Sequence, residues 1–185
     1  MRSPALGRFV RSVMPIATIA AVSFTTRASF ADHYRVPTGS MEPTVLVGDH
    51  IVVSKIAYGV RLPMSETWLV TNDGPARGDV VVIDVDEPTV LLKRVVAVAG
   101  DLVEVRDGHV FLNDVGVEEP YLAPDGDGGP DFGPVRVPTD RVLVLGDNRG
   151  NSRDGRAFGW VDRRRVLGRA LAIVGRDGKP AYRPL

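Results

Sequence analysis

Residues 89–113 read TVLLKRVVAVAGDLVEVRDGHVFLN, and this stretch decides the fold class of the chain. It consists of short runs rich in Val and Leu, and apolar and polar residues alternate on both sides of Asp107-Gly108. Short β-branched runs favour strands, and an Asp-Gly pair between two alternating runs is the usual signal of a hairpin. The stretch therefore predicts neighbouring antiparallel strands rather than a helix.

The same pattern continues along the chain from residue 34 onward. Further Val/Ile/Leu-rich runs, bounded by Gly, Pro or Asp, lie at residues 50–60, 78–86, 140–148 and 169–176. Residues 123–138 are rich in Gly, Pro and Asp and predict an exposed, mobile loop. Asp162 is expected to cap one brief helix that runs through Val166. We therefore predict an all-β domain built on a coiled or barrel-like sheet.

The composition excludes several classes of function. The 23 Lys and Arg residues are balanced by 23 Asp and Glu residues, whereas a nucleic-acid-binding surface needs a basic excess. The absence of cysteine rules out thiol catalysis, disulfides and thiolate zinc sites. The three histidines are scattered without the spacing of metal ligands. We therefore expect no nucleic-acid partner, no metal and no other cofactor.

The N-terminal segment has the pattern of a membrane anchor. Three arginines precede an uncharged stretch at residues 12–26, and Arg27 closes it. Counted from Phe9 to Phe30, with basic residues snorkelling at both ends, the segment is long enough to span a bilayer. The basic side is expected to stay inside the cell, which exports the rest of the chain. Residues 29–31, Ser-Phe-Ala, offer the alternative of a cleavable secretory signal.

Lys93 is unusual because it lies in an apolar run, residues 90–96, in a chain where only three of the 23 basic residues are lysines. Arg keeps its proton in proteins, whereas a desolvated Lys can give it up. On a strand, Leu91, Lys93 and Val95 share one face. If that face is inward, burial lowers the pKa of the amine, which can then act as a general base. Taken alone, the motif fits a strand-edge lysine that reaches solvent at least as well.

Two further segments carry side chains suited to the same chemistry. Ser40 lies in VPTGSMEPT (36–44), where prolines and a glycine make a stiff loop with room for a substrate backbone. Most serines in such turns are structural. Residues 146–156, GDNRGNSRDGR, form a polar loop in which Ser152 is placed to hydrogen-bond a lysine nitrogen and direct its lone pair at Ser40.

The order and the amino-acid sequences of these segments resemble the signature blocks of bacterial signal peptidase I. The blocks are PTGSMEPT (37–44), GDHIVVSKIAYG (48–59), GDVVV (78–82), LLKRVVAVAGD (91–101), FLND (111–114), EEPY (118–121) and GDNRGNSRDGRAFGWV (146–161). The resemblance extends from about residue 34 to residue 174. It implies the signal peptidase catalytic fold, an all-β coiled sheet on one N-terminal transmembrane helix. It also implies a membrane-bound serine endopeptidase that removes signal peptides from exported preproteins after small-x-small sites.

The resemblance also implies a role for individual residues. Ser40 matches the nucleophile and Lys93 the general base, and the Thr38 hydroxyl helps the Ser40 amide to form the oxyanion hole. Ser152 matches the residue that orients the lysine. The residues that support the site are Asp154, Arg156, Asp147 and Arg149, and the candidate walls of the substrate pocket are Val36, Met41, Leu91 and Leu92.

The implied organisation is an anchor at residues 1–31 followed by a catalytic domain at residues 32–185. The catalytic domain is expected on the periplasmic or extracytoplasmic side of the inner membrane, as a monomer whose partners are preproteins and the lipid bilayer. Three departures from the family pattern stand out. Gly155 replaces a frequent serine, Ala99 replaces a usual proline, and a short 101–146 stretch implies a reduced β-ribbon insertion around residues 102–139.

Three other readings remain open at this point. An autoprotease of the SOS-repressor kind shares the Ser–Lys chemistry, but residues 1–33 offer neither a DNA-binding module nor a scissile linker. A specialised peptidase for a single pilin or conjugation protein is the second. The third is a catalytically inactive, membrane-tethered binding module, which has no need for both Ser40 and Lys93.

Overall fold

The computed structural model describes residues 31–61, 68–85, 89–124 and 126–185. The predicted membrane anchor, residues 1–31, lies outside these ranges except for its last residue, Ala31. Among the residues that are described, no helix is long and apolar enough to cross a membrane. The fold below is therefore that of the predicted catalytic domain.

The regular secondary structure of the described part of the chain consists mainly of antiparallel strands. They are β1 (Ala31–Arg35), β2 (His50–Ser54), β3 (Gly59–Arg61), β4 (Trp68–Thr71), β5 (Val80–Ile83), β6 (Leu91–Val98), β7 (Leu102–Arg106), β8 (His109–Leu112), β9 (Val115–Gly116), β10 (Phe132–Arg136), β11 (Arg141–Leu145), β12 (Val161–Asp162), β13 (Val166–Arg176) and β14 (Lys179–Pro184). One short helix, α1 (Gly155–Phe158), and 3-10 turns at Arg149–Asn151 and Arg163–Arg165 complete the fold. The prediction of a mainly β domain is confirmed.

The main sheet has eight strands in the order β1-β2-β13-β5-β6-β11-β12, and β14 pairs with β13 outside this path. β13 pairs with β2 and also with β5, and its register shifts near residues 167, 171 and 174. Such irregularities bend a strand and increase its twist. These irregularities allow the long β13 to pair with β2, β5 and β14. The sheet is coiled as a result.

A second sheet has the order β10-β7-β8-β9. Its β7–β8 hairpin pairs Arg106 with His109, and Asp107 and Gly108 take positive φ angles of 48° and 78°. These are the backbone angles that a two-residue hairpin turn needs, so the Asp-Gly prediction is confirmed. We call β7–β10 the small sheet. It occupies the range predicted for the ribbon insertion, and its reduction relative to the family stays a prediction.

Two local predictions have different outcomes. The loop predicted at residues 123–138 is partly wrong, because β10 lies within it and pairs with β7. Gly133 and Pro134 hid this strand in the sequence, and an edge strand tolerates proline because it has no ladder bond to lose on its outer side. The brief helix after Asp162 is confirmed as a 3-10 turn, in which the Asp162 carboxylate accepts the Arg164 N–H at 2.9 Å.

β6 is an interior strand of the main sheet, between β5 and β11. Leu92 packs against the cluster that contains Met41 and Ile51, whereas Val96 packs in the cluster formed with the small sheet. Val95 belongs to a third cluster with Val81 and Val144. Both faces of β6 are therefore covered, and the two basic residues on it, Lys93 and Arg94, are only 3% and 7% exposed.

Candidate active site

The structure brings Ser40 and Lys93 together. The Nζ atom of Lys93 lies 2.7 Å from Ser40 Oγ and 3.0 Å from the carbonyl oxygen of Leu92. Lys93 reaches this position from the middle of β6, where it stands opposite Val81 of β5. Ser40 lies in the turn between β1 and β2 and is half-buried. A serine hydroxyl beside a buried amine is the geometry that general-base activation requires.

The loop that carries Ser40 is held at both ends and in the middle. The Val36 N–H donates to the Asp49 carbonyl at 2.9 Å, and the Gly48 N–H donates to the Val36 carbonyl at 2.8 Å. Asn148 supplies the middle support: its N–H donates to the Ser40 carbonyl and its side-chain amide donates to the Gly39 carbonyl, both at 3.1 Å. The Ser40 backbone is therefore fixed by the 146–156 loop, which sequence reasoning had linked to it only by resemblance.

Ser152 lies beside the dyad without bonding to it. Its Oγ atom is buried and has no hydrogen-bond partner among the described residues. It borders Gly146, since a Cβ at that glycine would overlap both Ser152 Oγ and the Ser40 carbonyl oxygen. Unpaired buried hydroxyls are rare in folded proteins. The lysine-orienting role of Ser152 stays a prediction, since no Ser152–Lys93 hydrogen bond is formed.

The close approach at Gly146 leads to a first prediction. Gly146→Ala is expected to displace the Ser40 main chain and to lower kcat/KM by roughly 10- to 100-fold, because small displacements of reacting groups have effects of this size. Gly116→Ala is the matched control, since its Cβ would meet only the Phe111 ring, at 3.5 Å. Steady-state cleavage kinetics measure both variants. Wild-type activity in a folded Gly146→Ala protein would contradict the prediction.

Asp147 is a buried structural carboxylate. It accepts Arg94 Nε at 2.9 Å and Arg94 Nη2 at 2.7 Å, a bidentate pair, and it accepts the Thr44 hydroxyl at 2.5 Å. The remaining Arg94 nitrogen, Nη1, donates to the Gly78 carbonyl at 2.8 Å. Asp147 thus ties the Ser40 loop and β6 to the 146–156 loop. Sequence reasoning missed Arg94 and Thr44 as site residues, although each lies within four residues of a member of the dyad.

Asp154 and Arg156 form a second buried pair. Arg156 donates Nε and Nη2 to the Asp154 carboxylate, both at 2.9 Å. The carboxylate also accepts the Gly146 N–H at 3.0 Å and, as the cap of α1, the Arg156 N–H at 3.2 Å. Arg156 further donates to the carbonyls of Gly128 and Arg149. The pair therefore fixes the first residue of the 146–156 loop.

Arg149 extends this framework to the small sheet. Its Nε atom donates to the Gly146 carbonyl at 3.1 Å, and its Nη2 atom donates to Glu119 Oε1 at 2.5 Å. Burial is the largest single influence on Arg149 and lowers its pKa, but the hydrogen bond and charge of Glu119, with the charges of Tyr121 and Asp147, together raise that pKa above its ordinary value. Burial likewise tends to raise the pKa of Glu119, and Arg149 holds it below the ordinary value. Both groups are therefore charged at neutral pH.

Glu119 and Tyr121 were not predicted as site residues. The Tyr121 hydroxyl donates to Glu119 Oε1 at 2.7 Å, and the Tyr121 ring lies 4.0 Å from the Arg94 guanidinium carbon. Burial raises the pKa of Tyr121 above its ordinary value, and the hydrogen bond to Glu119 adds to this effect. The EEPY block (118–121) was the only feature of the sequence that could have indicated these two residues. Nothing within that block indicates a contact with the loop that carries Ser40.

A cavity of about 230 Å³ ends at the dyad. The predicted pocket residues Val36, Met41, Leu91 and Leu92 all line it, together with Thr38, Ser40 and Lys93. The remaining lining residues are Tyr34, Arg35, Pro37, Ile51, Val82, Thr89 and Val90. Apart from Arg35 and Lys93 the lining carries no charge, so the cavity suits a small apolar side chain.

Two strand edges border this cavity. β1 is the terminal strand of the main sheet, and residues 34–38 form one side of the cavity. Residues 89–93 form the other side. β5 pairs with β6 from Leu91 to Arg94, whereas β11 pairs with β6 only from Arg94 onward. Leu91 and Leu92 therefore have no partner strand on that side in the described part of the chain, and an extended peptide can add to such an edge.

Comparisons with known proteins agree with this geometry. A family model described as "Signal peptidase, peptidase S26" matches residues 7–174. A probable signal peptidase I-2 of Synechocystis sp. is 35% identical over 85% of this chain and 68% of that protein. Signal peptidase I of Leptolyngbya laminosa is 32% identical over 88% and 77%, and that of Pseudomonas fluorescens is 30% identical over 93% and 73%.

Proposed function

Since the chain belongs to the signal peptidase family, we propose that Ser40 and Lys93 form the dyad with which it removes signal peptides from preproteins. The chain is a serine protease, and its reaction is the hydrolysis of one peptide bond. The observation that carries the assignment is the 2.7 Å distance between Lys93 Nζ and Ser40 Oγ, with the amine buried. Burial disfavours the ammonium form, so the amine can accept a proton.

The reaction begins with proton transfer. Neutral Lys93 takes the hydroxyl proton of Ser40 while Oγ attacks the carbonyl carbon of the residue at position −1 of the preprotein. The oxyanion accepts hydrogen bonds from the Ser40 N–H and the Thr38 hydroxyl, and each preorganised donor is worth about 3–4 kcal/mol. Protonated Lys93 then gives its proton to the leaving amine, which departs with the mature protein. A water molecule, deprotonated by Lys93, hydrolyses the acyl-enzyme and restores the Ser40 hydroxyl.

The cavity supports the proposed preference for small residues at positions −1 and −3. In an extended peptide, side chains two residues apart point to the same side. A substrate strand added to the edge at Leu91 and Leu92 would direct both of these side chains toward the cavity walls, among them Val36 and Leu92. The cavity of about 230 Å³ would have to hold both side chains at once, which favours small ones.

We further propose that the enzyme is a single-pass inner-membrane protein and acts as a monomer. The support is the sequence of residues 1–31, in which arginines precede an uncharged stretch and predict an inside N-terminus. The catalytic domain would then face the extracytoplasmic side, where emerging preproteins meet it beside the bilayer.

A cleavage assay tests the function directly. The full chain in detergent micelles is incubated with a preprotein that has Ala at −3 and −1, and mass spectrometry identifies the new N-terminus. We expect a single cut after position −1. A matched substrate with Phe at −1 should be cut at least about 100-fold more slowly, because a cavity shared by the −1 and −3 side chains has little room for the ring. Absence of cleavage across a panel of preproteins, together with no acylation of Ser40 by a serine-reactive inhibitor, would contradict the function.

A further inference from the structure

Two buried guanidinium groups flank the dyad, and both are contacted by one segment between β9 and β10 of the small sheet. Arg94 follows Lys93 on β6, and Arg149 lies in the loop that supports Ser40. Residues 118–122, which follow β9, reach both of them through Glu119 and Tyr121. We call residues 118–122 the brace.

Glu119 makes the more extensive set of contacts. Its side chain is 2% exposed, and its carboxylate accepts two bonds from Arg149, at 2.5 and 3.1 Å. It also accepts the Val110 N–H of β8 at 3.0 Å and the Tyr121 hydroxyl at 2.7 Å. The carboxylate is thus anchored to the small sheet on one side and to the 146–156 loop on the other. Charge-assisted bonds of this kind are the strong ones in proteins.

Tyr121 connects the two guanidinium groups. Its hydroxyl bonds to the carboxylate that holds Arg149, while its ring lies 4.0 Å from the guanidinium carbon of Arg94. A cation over an aromatic face is attracted to the ring, and more strongly when the pair is shielded from water. One tyrosine therefore contacts Arg94 in addition to its bidentate partner Asp147.

Through Arg149 and Arg94, the contacts of Glu119 and Tyr121 are connected to Ser40 and Lys93 respectively. Arg149 donates a hydrogen bond to the Gly146 carbonyl. The residue that precedes it, Asn148, donates to the carbonyls of Gly39 and Ser40. Arg94 is the neighbour of Lys93 on β6 and is bonded to Asp147. Glu119 and Tyr121 do not line the substrate cavity. Their influence on the reaction therefore has to pass through the positions of Ser40 and Lys93.

We propose that Glu119 and Tyr121 are positioning residues for the Ser–Lys dyad, so that the small sheet is a working part of the active site. This inference rests on the proposed function. It predicts a loss in kcat with little change in KM, because the dyad is displaced while the cavity walls stay in place. A residue that served only overall stability would lower the amount of folded protein and leave the kinetics of the folded fraction unchanged.

Glu119→Gln is the first test, with Glu118→Gln as its matched control. Glu118 is the preceding residue, is exposed and carries the same charge. We expect Glu119→Gln to lower kcat roughly 10- to 100-fold, as for other displaced catalytic groups, with KM within about twofold of wild type because the cavity walls are untouched. Glu118→Gln is expected to match wild type in both constants.

The pH profile adds a readout that a general loss of stability would not move. Glu119→Gln leaves the Arg149 cation without its main counter-charge. The other charged or titratable groups near Arg149 and Lys93 include Asp147, Tyr121, Arg94, Arg35 and the Asp154–Arg156 pair, and both variants keep all of them. The added positive potential disfavours protonated Lys93. The acid limb of kcat/KM should therefore move to lower pH in Glu119→Gln and stay in place in Glu118→Gln.

Two variants of Tyr121 test the proposal even if Glu119→Gln does not fold. Tyr121→Phe keeps the ring over Arg94 and removes one of the four hydrogen bonds that the Glu119 carboxylate accepts. Because the other three remain, we expect at least about one third of the wild-type kcat. Tyr121→Leu removes the ring, and we expect a further loss of roughly tenfold in kcat at unchanged KM. Equal kcat in folded Phe and Leu variants, or a folded Glu119→Gln with wild-type kcat and an unmoved acid limb, would overturn the proposal. Wild type is measured in the same assay, so a failure of the proposed function itself would be evident separately.

Discussion

Lys93→Ala is expected to lower kcat/KM for preprotein cleavage by at least about 1,000-fold, because it removes the general base from the attacking serine. Lys93→Arg should be equally inactive, since a guanidinium keeps its proton and cannot take one from Ser40. Ser40→Ala removes the nucleophile and should abolish the acyl-enzyme. Lys55→Ala is the matched control, because Lys55 is about one-third exposed and pairs with Asp32 on the surface.

The pH dependence of cleavage provides a second test of the role of Lys93. Only neutral Lys93 can accept the proton, so wild-type kcat/KM should rise with pH through an apparent pKa below the value of about 10.4 for free lysine. The profile is measured at low substrate concentration with the same preprotein. Substantial activity in Lys93→Arg, or a wild-type profile that rises only near pH 10, would show that Lys93 is not a desolvated base.

Asp147→Ala is expected to lower the free energy of unfolding by about 3–5 kcal/mol, the usual effect of removing one partner of a buried ion pair. Asp147 is 2% exposed, and its removal leaves Arg94, 7% exposed, without its carboxylate partner. The Thr44 hydroxyl loses an acceptor at the same time. Urea denaturation followed by tryptophan fluorescence measures the change.

Glu104→Ala is the control for this stability prediction. The Glu104–Arg106 pair has a distance of 3.4 Å and side chains that are 26% and 52% exposed. Exposed pairs of this kind contribute under about 1 kcal/mol. If Asp147→Ala were no more destabilising than Glu104→Ala, the ion pair with Arg94 would not be the structural bond between β6 and the 146–156 loop.

Local sequence patterns were sufficient for the strands and for the hairpin at Asp107-Gly108. Both depend on residues that are close together in the chain, namely β-branched runs and a turn that needs positive φ angles. β10 was missed for the same reason. Its Gly133 and Pro134 read as a loop, and only pairing with β7 shows that the segment is a strand.

The identity of the dyad came from the sequence through resemblance, and its geometry came only from the tertiary structure. Alternation along residues 90–96 predicts which side chains share a face, but it cannot tell which face is buried. β6 is buried on both faces, so Lys93 and Arg94 are both inside. The burial of Lys93 therefore depends on the packing of three clusters around β6, which no local pattern records.

The sequence by itself determined the mainly β character of the domain, its hairpin and the set of blocks that identify its family. The tertiary structure decided which polar groups meet. Ser40 and Lys93 are 53 residues apart in the chain, and Thr44 and Asp147 are 103 apart, yet each pair is in hydrogen-bond contact. The brace formed by Glu119 and Tyr121 is of the same kind. Such contacts are set by strand pairing between distant segments, and strand propensity specifies that a segment pairs without specifying its partner.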